Sequence, residues 1–150
     1  MPETKIMVAL QDREHVEGLV RLACEIAQGT NADVIALNVV EVGLGLPLDA
    51  DDEVLDRGGK QLLALAHQYA SQKFFKEIST RLVRAREVGP ALVREAEEQG
   101  TDLIILGYRR KKSYVARALL GSAVEYVTAH APCRVIVQTV PAAQVEKAAA

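Results

Sequence analysis

The chain has 150 residues, 49% of them hydrophobic and 25% charged, enough for one globular domain with a substantial buried core. A formal net charge of −2 offers no basic excess to hold a nucleic-acid backbone, and no apolar run approaches the roughly 20 residues that span a bilayer. Aromatic residues make up only 4% and Trp is absent, so the core must be aliphatic.

Residues 6–10 (IMVAL) form an apolar run of strand length. Val16, Leu19, Val20, Ala23 and Ala27 follow at helical spacing, and Gly29 supplies a stop signal. Residues 34–40 (VIALNVV) read as a second strand, and residues 43–47 (GLGLP) break the pattern as a loop. Asp51 and Asp52 put negative charge where a second helix begins, at the positive end of its dipole. Leu62, Leu65, Ala66 and Tyr69 continue its apolar stripe, with Gly58 and Gly59 weakening the early part. Residues 80–88 (TRLVRAREV) read as a third strand, whose Arg81, Arg84 and Arg86 suit the edge of a sheet. Pro90 opens a third helix and Gly100 closes it. Residues 103–106 (LIIL) are a fourth strand. Leu120, Val124, Val127 and Ala131 form the last helical stripe, stopped by Pro132, and residues 135–140 (VIVQTV) are the fifth strand. The expected organisation is one domain over residues 1–141 and a flexible Ala-rich tail over 142–150.

Strands alternating with helices predict an α/β fold, a three-layer doubly wound parallel sheet with helices on both faces. Ligands of such sheets bind at the carboxyl ends of the strands, where the strand order reverses. After the fourth strand come Gly107, Tyr108 and four consecutive basic residues, Arg109, Arg110, Lys111 and Lys112. These read either as a solvated basic loop or as contacts for phosphates or an acidic partner. Gly121 and Ser122 open the last helix, where backbone N–H groups and the helix dipole favour an anion; a capping role for Ser122 is compatible with that use. Gly107 reads as a position of special backbone geometry whether or not a ligand binds.

The segment 101–140 (TDLIILGYRRKKSYVARALLGSAVEYVTAHAPCRVIVQTV) resembles the carboxyl-terminal half of universal stress proteins. Asp102, Gly107, the Leu120-Gly121-Ser122 step and the His130-Ala-Pro-Cys133 step carry the likeness, and Val88-Gly89-Pro90 and residues 5–9 extend it upstream. The resemblance implies an adenine nucleotide alpha hydrolase-like fold with strand order 3-2-1-4-5, and a homodimer joined through the last strand. It further implies an adenine nucleotide, ATP or AMP, as ligand. The base would lie near Ala9, Gln11 and Val39, and the phosphates against the backbone of Gly121, Ser122 and Ala123. The nucleotide-binding branch of the family carries G-x2-G-x9-G-[ST]; here Arg110 stands at the middle glycine and ten residues separate it from Gly121. The family's acidic residue after the first strand corresponds to Gln11, with Asp12 one position late. Gln11 and Asp12 therefore read either as loop residues or as altered ligands.

The two cysteines, Cys24 and Cys133, lie far apart in different kinds of segment and read as free thiols of a reducing compartment. The three histidines show no metal-ligand spacing, and His130 reads as a helix-end residue. No nucleophile stands with a base and an orienting partner, so the chain is not expected to be an enzyme, and slow ATP hydrolysis ranks last among the readings. The expected setting is cytoplasmic, without membrane insertion. Two functions stay open: a regulatory stress-response module that binds an adenine nucleotide, and a nucleotide-independent dimeric interaction module, including one that regulates a membrane transporter.

Overall fold

The computed structural model describes residues 4–109 and 121–140. In chain order it contains β1 (Lys5–Ala9), a 3-10 turn (Arg13–His15), α1 (Val16–Thr30), β2 (Asp33–Glu41), α2 (Glu53–Phe74) and β3 (Ser79–Ala85). α3 (Val88–Gln99), β4 (Leu103–Arg109), a helix named here α4 (Ser122–His130) and β5 (Arg134–Val140) complete it. The five strands are parallel and ordered β3-β2-β1-β4-β5, as expected. The supposed tail, 142–150, lies outside the described residues.

The alternation of side chains along the central strand sets the layers. Ile6, Val8 and Leu10 join one cluster with Val16, Leu19, Val20, Ala23 and Ala27 of α1 and Leu63, Ala66 and Ala70 of α2. Met7 and Ala9 join the other, with Ala91, Leu92 and Ala96 of α3 and Val124 and Val127 of α4. Ile6, Met7 and Val8 are fully buried, and each such side chain contributes about 1.5–3 kcal/mol. Continuous apolar strands are what a sheet covered on both faces requires.

Several boundaries differ from the sequence reading. α1 passes through Gly29; its cap is Asn31, which takes the left-handed conformation (φ 56°) and donates its N–H to the Ala27 carbonyl at 2.6 Å. β3 ends at Ala85 rather than at Val88, because Val88 already belongs to α3, whose N-cap is Glu87. Pro90 is thus the third residue of α3, still in the first turn, where an N–H has no helical partner. α2 runs unbroken through Gly58 and Gly59. Asp52 caps it by accepting from the Val54 N–H at 3.0 Å. A Cβ at Gly59 would collide with the Asn38 side chain and approach Leu82 Cδ1 to 2.9 Å, so this glycine lets α2 sit close on β2 and β3.

β3 lies at the sheet edge as its arginines suggested, but those arginines are engaged rather than solvated. Arg81 pairs with the buried Glu95 of α3 at 2.7 Å. On the opposite face Arg84 pairs with Asp56 of α2 at 3.0 Å and donates to the Leu48, Ala50 and Asp52 carbonyls. Arg86 donates to the Val42, Gly43 and Leu46 carbonyls. The guanidinium forks of these last two gather the connection between β2 and α2, since each can serve several oxygens at once. Cys24 is buried and Cys133 half-buried, both as free thiols whose pKa burial pushes up.

Candidate functional site

β1 sits between β2 and β4, and the sheet is wound outward in opposite directions from that pair. The carboxyl ends of β1 and β4 are therefore the place where a doubly wound sheet opens a crevice. A cavity of about 260 Å³ lies there. Ala9, Gln11, Asp12 and His15 line it from the end of β1 and the turn that follows. Leu106, Gly107 and Tyr108 come from β4, Val88 and Leu92 from the start of α3, and Gly121, Ala123 and Val124 from the start of α4. A larger groove, about 920 Å³, runs along α1 and α2, but it lies away from the strand ends. Charges of both signs line it, among them Arg21, which donates to the Tyr69 hydroxyl at 3.0 Å. The smaller cavity, apolar-walled with a few convergent polar groups, has the character of a ligand site.

Gln11 occupies a particular position in it. In a parallel sheet alternate residues direct both their N–H and their C=O toward the same neighbouring strand. Leu37 faces β1, where its carbonyl accepts from the Leu10 N–H at 2.9 Å. Val39 comes next in that row, but β1 has ended at Ala9 and the backbone is turning toward Arg13. The Gln11 side chain closes the gap. Its Nε2 donates to the Val39 carbonyl at 2.9 Å, and its Oε1 accepts from the Val39 N–H at 2.9 Å. Asn38 Nδ2 adds a bond to the Leu10 carbonyl at 2.7 Å. Val39 itself is buried.

His15 is 5% exposed, and its Nε2 has no hydrogen-bond partner among the described residues. Its Nδ1 lies 3.8 Å from Asp12 Oδ2. Burial lowers the imidazole pKa, and the nearby Asp12 carboxylate only partly opposes this, so the ring is neutral in the fold at pH 7. The ring packs on Gly107, where a Cβ would come within 2.8 Å of His15 Nδ1. Gly107 is needed for space rather than for an unusual φ.

At the other wall, Gly121 is the N-cap of α4, and no side chain of the described residues caps that end. The N–H groups of Ser122, Ala123 and Val124 precede the first intrahelical bond, which Glu125 donates to the Gly121 carbonyl at 3.0 Å. His130 closes α4 as expected, with Nδ1 3.0 Å from the Tyr126 carbonyl and its ring stacked on Tyr126.

The structure thus brings Ala9, Gln11, Gly107, Gly121 and Ala123 to one cavity. Ser122 adjoins it in sequence; Val39, expected beside the base, is not among the residues that line it and is joined to it only through the Gln11 amide. Arg109 is the last residue of β4, paired in register with Val140, while Arg110, Lys111, Lys112 and Leu120 lie outside the described residues. Sequence reasoning gave no role to His15, Val88, Leu92 or Tyr108. His15 stands six residues after the end of the central strand, at the close of the turn that follows it, and that place in the chain was the available signal. Among the described residues no cluster of His, Cys, Asp and Glu is suited to a metal ion, and no helix is long and apolar enough to cross a membrane.

Residues 3–138 match the Universal stress protein family. The chain belongs to this family. A universal stress protein of Methanothermobacter thermautotrophicus is 31% identical over 135 residues, covering 85% of this chain and 90% of that one. Among solved structures, an Archaeoglobus fulgidus universal stress protein in complex with dAMP superimposes with a TM-score of 0.68 at 23% identity, covering 91% of this chain and 98% of its own. A universal stress protein in complex with cAMP gives 0.68 at 22% identity, covering 93% and 98%. The architecture of this universal stress protein is accordingly that of the family.

Proposed function

We propose that this universal stress protein is a regulatory module, not an enzyme, that binds an adenine nucleotide such as AMP or ATP in the cavity between β1, β4, α3 and α4. The observation that carries the proposal is the junction of an apolar cavity, at the point where the winding of the sheet reverses, with the amino end of α4, which no side chain of the described residues caps. The base would enter between Ala9, Leu92 and Leu106, and the phosphates would meet the N–H groups of Ser122 and Ala123. Two universal stress proteins of the same fold are known with dAMP and with cAMP. Among the described residues that line the cavity there is no serine, threonine, cysteine or lysine for His15 to activate as a nucleophile.

The test is a titration of the isotope-labelled protein with AMP and with ATP, followed by the backbone amide signals. Shifts centred on Ala9, Gly107, Gly121 and Ala123 are expected, with affinity falling as salt rises. Unchanged spectra at millimolar nucleotide would overturn the proposal. They would leave the nucleotide-independent interaction module, with a transporter or another regulatory protein as its partner, in its place.

The proposed setting is the cytoplasm and the proposed assembly is a homodimer through β5. That strand is the outer edge opposite β3 and presents Val135, Ile136 and Val137 half-buried. An apolar edge of this kind invites pairing. Light scattering should report a dimer at tens of micromolar, and a clean monomer would overturn the assembly.

A further inference from the structure

We infer that Gln11 is an internal stand-in for a nucleobase: its carboxamide occupies the hydrogen-bonding edge of Val39 that the incoming base must take over. The inference rests on the reading that an adenine nucleotide binds in this cavity.

Val39 offers one N–H and one C=O side by side, beyond the end of β1, and a partner must present an acceptor next to a donor. The Gln11 amide does so at 2.9 Å on both sides. The reverse placement of its oxygen and nitrogen would satisfy neither bond, so the orientation is fixed by the pair. Adenine presents the same couple, a ring nitrogen that accepts and an exocyclic amino group that donates. The register of the sheet points the same way: Ala9 pairs with Leu37, so the residue two further along faces Val39. Gln11 thus finishes β1 with a side chain where its backbone has left. A side-chain bond of this kind can be exchanged without disturbing the sheet.

The size of the cavity agrees. At about 260 Å³ it falls just below the usual range for small-ligand sites, roughly 300–1,000 Å³. Gln11 forms part of its wall and holds both backbone groups of Val39, so rotating the side chain outward would both enlarge the cavity and free that edge. Binding therefore exchanges one amide-like partner for another and gains little from that contact, which weakens the wild-type protein for adenine nucleotides.

The experiment compares wild type with Gln11→Ala, and with Gln11→Met as a variant that keeps the bulk but has no amide. Calorimetric titrations use AMP and purine riboside 5′-monophosphate, which lacks the exocyclic amino group, and hydrogen exchange follows the Val39 amide. Gln11→Ala should bind AMP roughly tenfold more tightly than wild type, and should prefer AMP over the amino-free analogue by a similar factor. Without ligand, the Val39 amide should exchange at least about tenfold faster in either variant, and AMP should restore its protection. Equal AMP affinity in wild type and Gln11→Ala, or weaker binding by the variant, overturns the inference while leaving nucleotide binding intact. An equal gain for AMP and its analogue would reduce Gln11 to a steric obstacle and also overturns it. Absence of binding to any of the three proteins sinks the nucleotide reading itself, and the inference with it.

Discussion

The two ends of the sheet solve the same problem differently. Every parallel sheet leaves strand termini whose backbone groups need partners. At the amino end those partners are permanent. The Asp102 carboxylate accepts from the Thr4 N–H at 3.0 Å, the Thr4 hydroxyl at 2.5 Å and the Lys5 N–H at 3.0 Å. The Asp102 N–H in turn donates to the Lys5 carbonyl at 2.9 Å, and Lys5 Nζ reaches the Gln99 carbonyl at 3.1 Å. At the carboxyl end the partners are exchangeable. Val39 is held by a glutamine side chain, and His15 Nε2 has no partner among the described residues. Asp102 belongs to the stretch that resembled the family, yet it lies at the far end of β4 from the cavity. A shared residue can serve the clasp of a fold as readily as its site.

The largest effect expected on this comparison comes from Gly107→Ala, which strikes the carboxyl end alone. The new Cβ would meet His15 Nδ1 at 2.8 Å and Cγ at 3.1 Å, and the imidazole it meets is buried. Overpacking of this kind costs about 1–3 kcal/mol, measurable by urea unfolding. The cavity wall moves with the ring, so AMP binding should be lost as well. Adding His15→Ala removes the obstructing ring, and the double variant should recover at least about 1 kcal/mol relative to additivity. Additive losses would show that Gly107 is fixed by something other than His15.

A smaller effect separates two adjacent glycines of α2 and asks how firmly the carboxyl end is seated beneath its exchangeable contacts. A Cβ at Gly58 meets nothing within 4 Å, so Gly58→Ala should stabilise by about 0.5–1 kcal/mol through helix propensity. Gly59→Ala gains the same propensity but drives its methyl group into Asn38, whose amide holds the Leu10 carbonyl next to Gln11. The net change should be a loss of about 1 kcal/mol or more. Two substitutions of the same type, one residue apart, should therefore move thermal stability in opposite directions. A gain from both would mean that Asn38 yields easily.

The glycine pair also marks what the sequence could and could not disclose. Apolar runs such as 103–106 and stripes such as Val16–Leu19–Val20–Ala23 are set by periods of two and 3.6 residues, and periodicity is local. The strands could be read for that reason, and their order came from the family likeness. The meaning of Gly59, Gly107 and Gln11 depends on Asn38, His15 and Val39, each between 21 and 92 positions away in the chain. No local pattern reports such a contact. Gly59 looked like a weak point in a helix, and it is a point of close approach. Arg81, Arg84 and Arg86 indicated an edge correctly, but their partners on α2, α3 and the β2–α2 connection became visible only in three dimensions. The start of α3 was misjudged because a proline is tolerated throughout the first turn, and Val88 and Gly89 precede Pro90 within it.

The mildest test uses acidity, since Asp102 at the amino end and His15 at the carboxyl end respond in different windows. Hydrogen bonds from Thr4 and from the Thr4 and Lys5 amides hold the Asp102 carboxyl below its ordinary 3.8. Its folded pKa lies below its unfolded one. The stabilisation is therefore complete above the unfolded value and is lost as pH falls through the folded value. Burial lowers the His15 pKa from its ordinary 6.5, again placing the folded value below the unfolded one. The unfolded chain then takes up a proton that the fold refuses, so stability declines as pH falls from about 6.5 and levels off once the folded imidazole also titrates. Melting temperatures from pH 7.5 to pH 2 should show two descents in wild type. Asp102→Asn should lower the curve at neutral pH and flatten part of the acid descent, leaving AMP affinity unchanged; the rest of that descent includes Asp56, whose carboxyl the Arg84 guanidinium also holds below its ordinary 3.8. His15→Gln should remove the descent that begins near 6.5 and leave the acid one in place. An Asp102→Asn protein with weakened AMP binding would break the comparison, because the amino end would then be coupled to the site rather than serving only as its clasp.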